Sequence, residues 1–131
     1  MAPKRGAPGG ALEYAVMAAV WELGSASAPE VHERCGQADG LAYTTTAKVL
    51  DRLFAKKLVV RGRVGRSFVY RAAVPREVID RERTTTALTT LFGNEPRPAI
   101  ATLVDAVEAI DPDLLDDMAR ELRKRRSRRG A

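Results

Sequence analysis

Polar and basic residues recur at helical spacing in the middle of the chain, within LAYTTTAKVLDRLFAKKL (41–58). Thr44 and Lys48 are four residues apart, as are Lys48 and Arg52, so a helix would align them along one side. Thr45 lies beside this row. The major groove of DNA admits a helix, and Thr, Lys and Arg side chains reach phosphates and base edges there. These four residues are therefore predicted to contact DNA.

Apolar residues occupy another side of the same predicted helix. Leu50, Leu53 and Phe54 recur at helical spacing, and Leu58 follows one turn later. This period is typical of an amphipathic helix, so the four side chains are predicted to face a core. Packing on that core would leave the polar side of the helix exposed.

A β-hairpin is predicted directly after this helix, with Val64-Gly65 at its tip. Its strands would be the short runs Leu58-Val59-Val60 and Ser67–Tyr70. Val60 is predicted to point inward, opposite Phe68 or Val69, although the alternation leaves the register open. Three arginines would make the hairpin a basic wing that contacts DNA beside the helix: Arg61, Arg63 and Arg66.

Charge is sorted into blocks along the chain. Residues 41–74, which contain the predicted helix and hairpin, carry eight basic residues and one acid, a net charge of +7. Residues 11–40 carry a net charge of −4 and residues 75–119 a net charge of −6, whereas the last twelve residues carry +6. A basic block on folded elements is the electrostatic footprint of a surface that binds a polyanion.

Two shorter helices are predicted upstream, after a disordered basic arm at residues 1–10. Residues 12–23 carry an apolar stripe at helical spacing. Ser27 and Glu30 have the spacing of a capping box that opens the second helix. Together with the helix and hairpin described above, these elements predict a winged helix-turn-helix domain over residues 11–74.

The last third of the chain predicts three further amphipathic helices, over residues 75–126, and a basic tail at residues 127–131. About fifty residues close a core poorly on their own, so the apolar stripes are predicted to bury against a second copy of the chain. A symmetric dimer would read palindromic operator DNA at paired half-sites. The fold class is therefore mainly α with a small β-hairpin wing, followed by a C-terminal helical dimerisation domain. The predicted dimerisation residues are Leu88, Leu91, Ile100, Leu103, Val104, Val107, Leu114, Leu115, Met118 and Leu122.

Reactive side chains are scarce. The single cysteine, Cys35, and the single histidine, His32, leave no Cys-rich metal site and no nucleophile–base pair. We therefore predict neither an enzyme nor a bound metal or cofactor. No run of eighteen apolar residues is present, so no membrane partner is expected, and the chain is predicted to be cytoplasmic and associated with the nucleoid.

Several stretches resemble the penicillinase-repressor family, which includes repressors of β-lactamase, methicillin-resistance and some copper-transport operons. They are LEYAVMAAVWELGSASAPEVHE, LAYTTTAKVLDRLFAKKLVVR and GRSFVYRA, with a weaker likeness that extends to DPDLLDDMARELR. The resemblance covers about residues 11–125 and implies a dimeric winged-helix repressor of double-stranded operator DNA. By position it places recognition-helix contacts on Thr44, Thr45, Lys48 and Arg52, and wing contacts near Arg63 and Arg66.

The chain departs from that family at two places. Members controlled by a sensor protease are cut between Asn and Phe in the C-terminal domain, whereas the equivalent bond here is Asp105–Ala106. The only asparagine, Asn94, precedes Glu95, so the sequence disfavours a sensor protease as a partner. Copper-responsive members carry paired cysteines near the C-terminus, which this chain lacks.

Two other functions fit some of the same features. A winged-helix protein-interaction module would share the fold, but the block of bases favours phosphate neutralisation. A non-specific nucleoid-binding protein would use the basic arm and the tail RKRRSRR. The sequence favours a sequence-specific repressor over both.

Overall fold

The computed structural model describes residues 5–130, which divide into two compact units, residues up to Arg83 and residues from Thr84 on. It confirms the predicted fold class, mainly α with a small β-hairpin wing. In chain order the elements are α1 (Gly10–Leu23), β1 (Ser25–Ser27), α2 (Ala28–Cys35), α3 (Tyr43–Ala55), β2 (Val59–Val64), β3 (Ser67–Ala72), α4 (Arg76–Phe92), α5 (Pro96–Ile110) and α6 (Asp113–Gly130).

The core of the first unit is formed by α1, α2, α3, the sheet and the start of α4. The predicted capping box opens α2: the Ser27 hydroxyl accepts a hydrogen bond from the Glu30 amide, and the Glu30 carboxylate accepts one from the Ser27 amide. Trp21 Nε1 donates to the Val74 carbonyl at 2.9 Å, which ties α1 to the segment before α4. The largest fully buried apolar side chains of this core are Val16, Met17, Val20, Val31, Val49, Leu50, Leu53, Leu58, Val59 and Ile79.

α4 begins as part of this first unit. Ile79, in its first turns, is only 1% exposed and packs in the core described above. The Tyr14 hydroxyl on α1 donates to the Asp80 carboxylate at 2.5 Å. The division between the two units therefore falls within α4 and not at Pro75.

β3 is the central strand of a three-stranded antiparallel sheet, in the order β1-β3-β2. The sequence does not predict β1, because Ser25-Ala26-Ser27 contains no β-branched or aromatic residue. Pairing with β3 holds this strand in place and sets Ala26 opposite Tyr70, with both side chains buried.

The structure settles the hairpin register, which the sequence leaves open, and corrects the predicted inward residue. Val59 pairs with Ala72 and is buried, whereas Val60, predicted to point inward, is 44% exposed. Across the hairpin the buried residue is Tyr70. Pairing continues to Val64 opposite Ser67, so the loop consists of Gly65 and Arg66, with φ at +64° for the glycine.

Phe54 was expected in the core with Leu50 and Leu53, but its side chain lies at the surface, 39% exposed. The two leucines are fully buried, as predicted. α3 ends at Ala55, and the Leu58 amide donates to the Leu53 carbonyl at 3.0 Å, which turns the chain toward β2. Leu58 thus reaches the core from beyond the helix.

The described part of the N-terminal segment, residues 5–9, is held against the first unit, although the sequence predicts a disordered arm. The Gly6 amide donates to the Lys56 carbonyl at 2.8 Å. Arg5 donates to both carboxylate oxygens of Glu82, at 2.7 and 2.6 Å. Residues 1–4 of the predicted arm lie outside the described residues.

Glu13 on α1 is a buried carboxylate that joins three parts of the first unit. Its carboxylate accepts from Lys56 Nζ at 2.7 Å and from the Gly9 amide at 3.0 Å, and Arg52 Nε lies 3.4 Å away. Burial by itself raises the pKa of this carboxyl, but the hydrogen bonds and the two positive charges outweigh burial and hold the pKa below its ordinary value.

The second unit contains α5, α6 and the later part of α4. Asp111 accepts a hydrogen bond from the Asp113 amide at 3.0 Å, which places its side chain at the start of α6. α6 continues to Gly130, so residues 127–130 of the predicted tail are helical. Among the described residues from 84 on, no side chain is buried.

None of the helices that the structure describes is long and apolar enough to cross a membrane.

The two adjacent valines of β2 give a direct test of the register. Val59→Ala should lower the free energy of unfolding by about 2 kcal/mol, because two buried methyl groups are lost and a cavity remains. Val60→Ala is the matched control and should cost less than about 1 kcal/mol, since it acts only through strand propensity. Denaturant unfolding followed by Trp21 fluorescence measures both, and a larger cost for Val60→Ala would contradict the register.

The lowered pKa of Glu13 predicts an acid-dependent contribution to stability. A group whose pKa is depressed by folding stabilises the protein above its unfolded pKa, and this contribution disappears as the pH falls through the folded pKa. Glu13→Gln should therefore be less stable than the parent at pH 7, and the difference should shrink at pH values below about 4. Glu33→Gln, an exposed change on α2, should alter stability at pH 7 by less than about 0.5 kcal/mol. An equal deficit of Glu13→Gln at pH 7 and pH 3 would refute this account.

Candidate nucleic-acid interface

The exposed side of α3 carries two of the predicted DNA contacts. Thr44 and Lys48 are exposed and lie one turn apart, and Asp51 extends the same row. Tyr43, at the start of the helix, is 45% exposed. Asp51 and Tyr43 are absent from the predicted contacts, although the spacing of Asp51 from Lys48 would have placed it on this side. The row combines hydroxyl, ammonium and carboxylate groups that can read base edges.

Thr45 lies at the edge of this side and is half-buried. Its neighbour Thr46 is fully buried, and the Thr46 hydroxyl is 2.8 Å from His32 Nδ1 on α2. The His32 ring also meets the Tyr43 ring edge to face, with centroids 5.7 Å apart. His32 therefore joins the two helices of the helix-turn-helix and fixes where the start of α3 lies.

Gly36 makes this junction sterically feasible. A Cβ atom at that position would lie 2.6 Å from His32 Nδ1 and 2.8 Å from the Thr46 hydroxyl, closer than real Cβ atoms approach. Any larger residue at this position would have to displace the His32 or the Thr46 side chain. The spacing of the sequence marks residues 36–40 as a turn but does not reveal this contact.

Arg52 follows Lys48 by one turn of α3 and is exposed. Its Nε atom is 3.4 Å from the Glu13 carboxylate, and about half of its side chain remains exposed. The neighbouring Lys56 makes a closer ion pair with the same carboxylate. Arg52 is therefore partly neutralised from inside the protein, unlike Lys48.

The wing, which consists of β2, β3 and their two-residue loop, carries the other three predicted contacts. Arg63 and Arg66 are exposed. Arg61 is half-buried: its guanidinium lies 3.9 Å from the Phe54 ring centroid and 4.3 Å from that of Phe68. Arg61 also pairs with Asp51 at 3.1 Å. The structure thus separates the predicted wing arginines into one engaged residue and two exposed ones.

A surface groove connects the wing to α3. The groove runs from the start of α2 along α3 to β3. Arg66 of the hairpin loop and Asp51 of α3 both line it. Tyr43, Ala47, Asp51, Arg66, Phe68 and Tyr70 line it. The wing and the exposed row of α3 therefore form one continuous surface.

The basic residues of this surface differ in whether they form ion pairs. Within the described part of the chain, Lys48, Arg63 and Arg66 form no ion pair, whereas Arg52 and Arg61 each have a carboxylate partner. Unpaired exposed bases are the groups that can neutralise phosphates and release their counterions. The surface formed by α3 and the wing is thus suited to a polyanion at its outer edge.

Comparison with known proteins gives a match to one family model. The model of the penicillinase repressor matches residues 9–124, which include all six helices in whole or in large part. No curated protein matches the sequence significantly.

Several solved structures resemble the chain. The DNA-binding domain of the repressor BlaI is 25% identical, over 55% of this chain and 89% of that one, with a TM-score of 0.49. The CopR repressor is 31% identical, over 47% of this chain and 88% of that one, with a TM-score of 0.42. The PcaV transcriptional regulator of Streptomyces coelicolor is 20% identical, over 82% and 77% of the two chains, with a TM-score of 0.49.

The family model spans most of the chain. The chain therefore belongs to the penicillinase-repressor family and is a winged-helix, DNA-binding transcriptional repressor, not an enzyme.

Proposed function

We propose that the protein acts as a homodimer that binds palindromic operator DNA through α3 and the wing. One observation carries this proposal: Lys48 on α3 and Arg63 and Arg66 on the wing are exposed on neighbouring elements of the first unit and form no ion pair with any described residue. A helix with exposed Thr and Lys residues fits the major groove, while the flanking arginines meet phosphates.

The predicted contacts take different roles in this proposal. Thr44, Thr45 and Lys48 read base edges or adjacent phosphates from the first turns of α3, the part of a recognition helix that enters the groove. Arg63 and Arg66 neutralise phosphates from the wing. Arg52, held near Glu13, contributes a phosphate contact from the flank of the helix.

The second unit supplies the proposed dimer interface. Its predicted interface residues are all at least partly exposed, and the apolar hollow between α5 and α6 is lined by Val107, Leu114, Met118 and Leu122. A lone chain would leave these side chains in water, and a second copy of the same surface would cover them with apolar groups. Two linked first units would then bind two half-sites with a gain from effective concentration.

Release from DNA by a sensor protease is not part of this proposal. The bond equivalent to the family's cleavage site, Asp105–Ala106, lies inside α5 and lacks the Asn-Phe pair. The chain therefore offers no feature that marks this bond for such a protease.

Non-specific DNA binding through the end of α6 is the second candidate. Within the described residues, Arg123, Arg126, Arg128 and Arg129 form no ion pair, whereas Lys124 and Arg125 pair with Glu121. Binding driven by these arginines would be insensitive to sequence and to changes on α3. The next experiment distinguishes the two candidates.

Substitutions on α3 test the recognition surface. Lys48→Ala and Thr44→Ala should each weaken binding by roughly 1–3 kcal/mol to a duplex selected from a random-sequence pool, because each removes a groove contact. Binding to an unselected duplex should change much less. Arg81→Ala is a control that removes one exposed positive charge from α4 and should leave both affinities near those of the parent. Fluorescence anisotropy measures all four proteins, and parental affinity in both α3 variants would exclude α3 as the recognition element.

A carboxylate on α5 tests the dimer. Val104→Asp should dissociate the dimer at micromolar concentration, because an unpaired carboxylate would enter apolar packing. Thr102→Asp, an exposed change on the opposite side of α5, is the matched control and should remain dimeric. Sedimentation measures the oligomeric state, and far-ultraviolet circular dichroism checks that both variants keep their helices. A parent that sediments as a monomer, or a dimeric Val104→Asp, would contradict the assignment.

A further inference from the structure

Four side chains connect the recognition helix to the wing: Asp51 and Phe54 of α3, Arg61 of β2 and Phe68 of β3. The Arg61 guanidinium lies over both aromatic rings, with centroid distances of 3.9 and 4.3 Å, and pairs with Asp51 at 3.1 Å. We refer to these four residues as the Arg61 clamp. It explains why Phe54 remains at the surface, since one face of its ring is covered by a cation.

The Arg61 clamp contacts a buried core residue on one side and an exposed arginine of the wing on the other. Phe68 meets Tyr70 edge to face at 6.4 Å, and Tyr70 is buried. On the outer side, the Arg63 guanidinium lies 5.4 Å from the same Phe68 ring. Arg61 and Arg63 are two residues apart on β2 and so point to the same side of the sheet. An arginine proposed to contact DNA thus rests on the ring that Arg61 holds.

Arg61 itself is poorly placed to neutralise a phosphate. Its charge already faces Asp51, and its side chain is only 24% exposed. A planar guanidinium can stack between two rings and bond a carboxylate at once, which a lysine ammonium cannot do.

We propose that Arg61 is a positioning residue, which fixes the wing against α3 so that Arg63 and Arg66 meet phosphates while α3 lies in the groove. The inference rests on the proposed function for its effect on DNA, but the clamp itself exists in the unbound protein. Arg61 acts on binding through the two outer arginines and not through a contact of its own.

Arg61→Lys is the decisive variant because it keeps the charge and removes the planar stacking group. Arg71→Lys is its matched control, since Arg71 is exposed on β3 and points to the other side of the sheet. In the unbound protein, nitrogen-15 relaxation should show the amides of residues 64–67 becoming more mobile in Arg61→Lys, toward order parameters below about 0.6. The same amides in Arg71→Lys should match the parent.

DNA binding supplies the second readout. Arg61→Lys should weaken binding to the selected duplex by about tenfold, the size expected for loss of a stacked and paired guanidinium. In a chain that already carries Arg63→Ala and Arg66→Ala, adding Arg61→Lys should change affinity by less than about twofold, because the residues it positions are gone. Phe68→Leu should reproduce the effects of Arg61→Lys, while Phe68→Tyr, which keeps the ring, should not.

Two results would overturn the proposal. The first is parental mobility and affinity in Arg61→Lys, which would mean that the stack positions nothing. The second is a further loss of affinity for Arg61→Ala in the Arg63→Ala, Arg66→Ala background, which would make Arg61 a direct phosphate ligand. If the parent does not bind duplex DNA at all, the proposed function fails, and the relaxation data on the unbound protein still decide whether the clamp holds the wing.

Discussion

The pairing of Val59 with Ala72 fixes which side of the wing faces α3. Side chains alternate along a strand, so burial of Val59 places Arg61 and Arg63 on the inner side of β2 and Val60 on the outer side. A shift of one residue would turn both arginines away from the recognition helix. The composition of the α3–wing surface therefore depends on a hydrophobic contact made by one valine in the core.

The distribution of acids then divides the basic residues into two groups. Glu13 binds Lys56 and lies close to Arg52, and Asp51 binds Arg61, so these bases help hold α1, α3 and the wing together. Lys48, Arg63 and Arg66 have no such partner among the described residues and remain at the surface. The basic residues that give residues 41–74 a net charge of +7 thus include some that hold the first unit together and others that form the proposed binding surface.

The sequence predicts elements best where local chemistry determines them. The capping box of Ser27 and Glu30 marks the start of α2, because a cap acts within a few residues. The hairpin register could not be predicted, since Val59 and Val60 are identical side chains and only tertiary packing selects between them. The exposure of Phe54 was equally hidden, because its cover, Arg61, comes from another strand.

Some residues of the predicted site follow from the local sequence, whereas the contacts of others depend on the folded structure. Thr44 and Lys48 follow from helical spacing alone, whereas the engagement of Arg61 with two rings and a carboxylate requires the folded hairpin. Strand β1 and the contacts of residues 5–9 with Lys56 and Glu82 also depend on partners distant in sequence. The dimer residues of α5 and α6 remain a prediction, supported by the apolar surface that a single chain leaves uncovered.

The central claim is that α3 and the wing form the surface that binds DNA. Titration of the isotopically labelled full chain with a duplex selected from a random-sequence pool, followed by NMR of the backbone amides, tests it most directly. The account predicts that the largest shifts fall on residues 44–48 and on the hairpin loop at Gly65 and Arg66. Shifts confined to the basic end of α6, with α3 and the wing unperturbed, would contradict it.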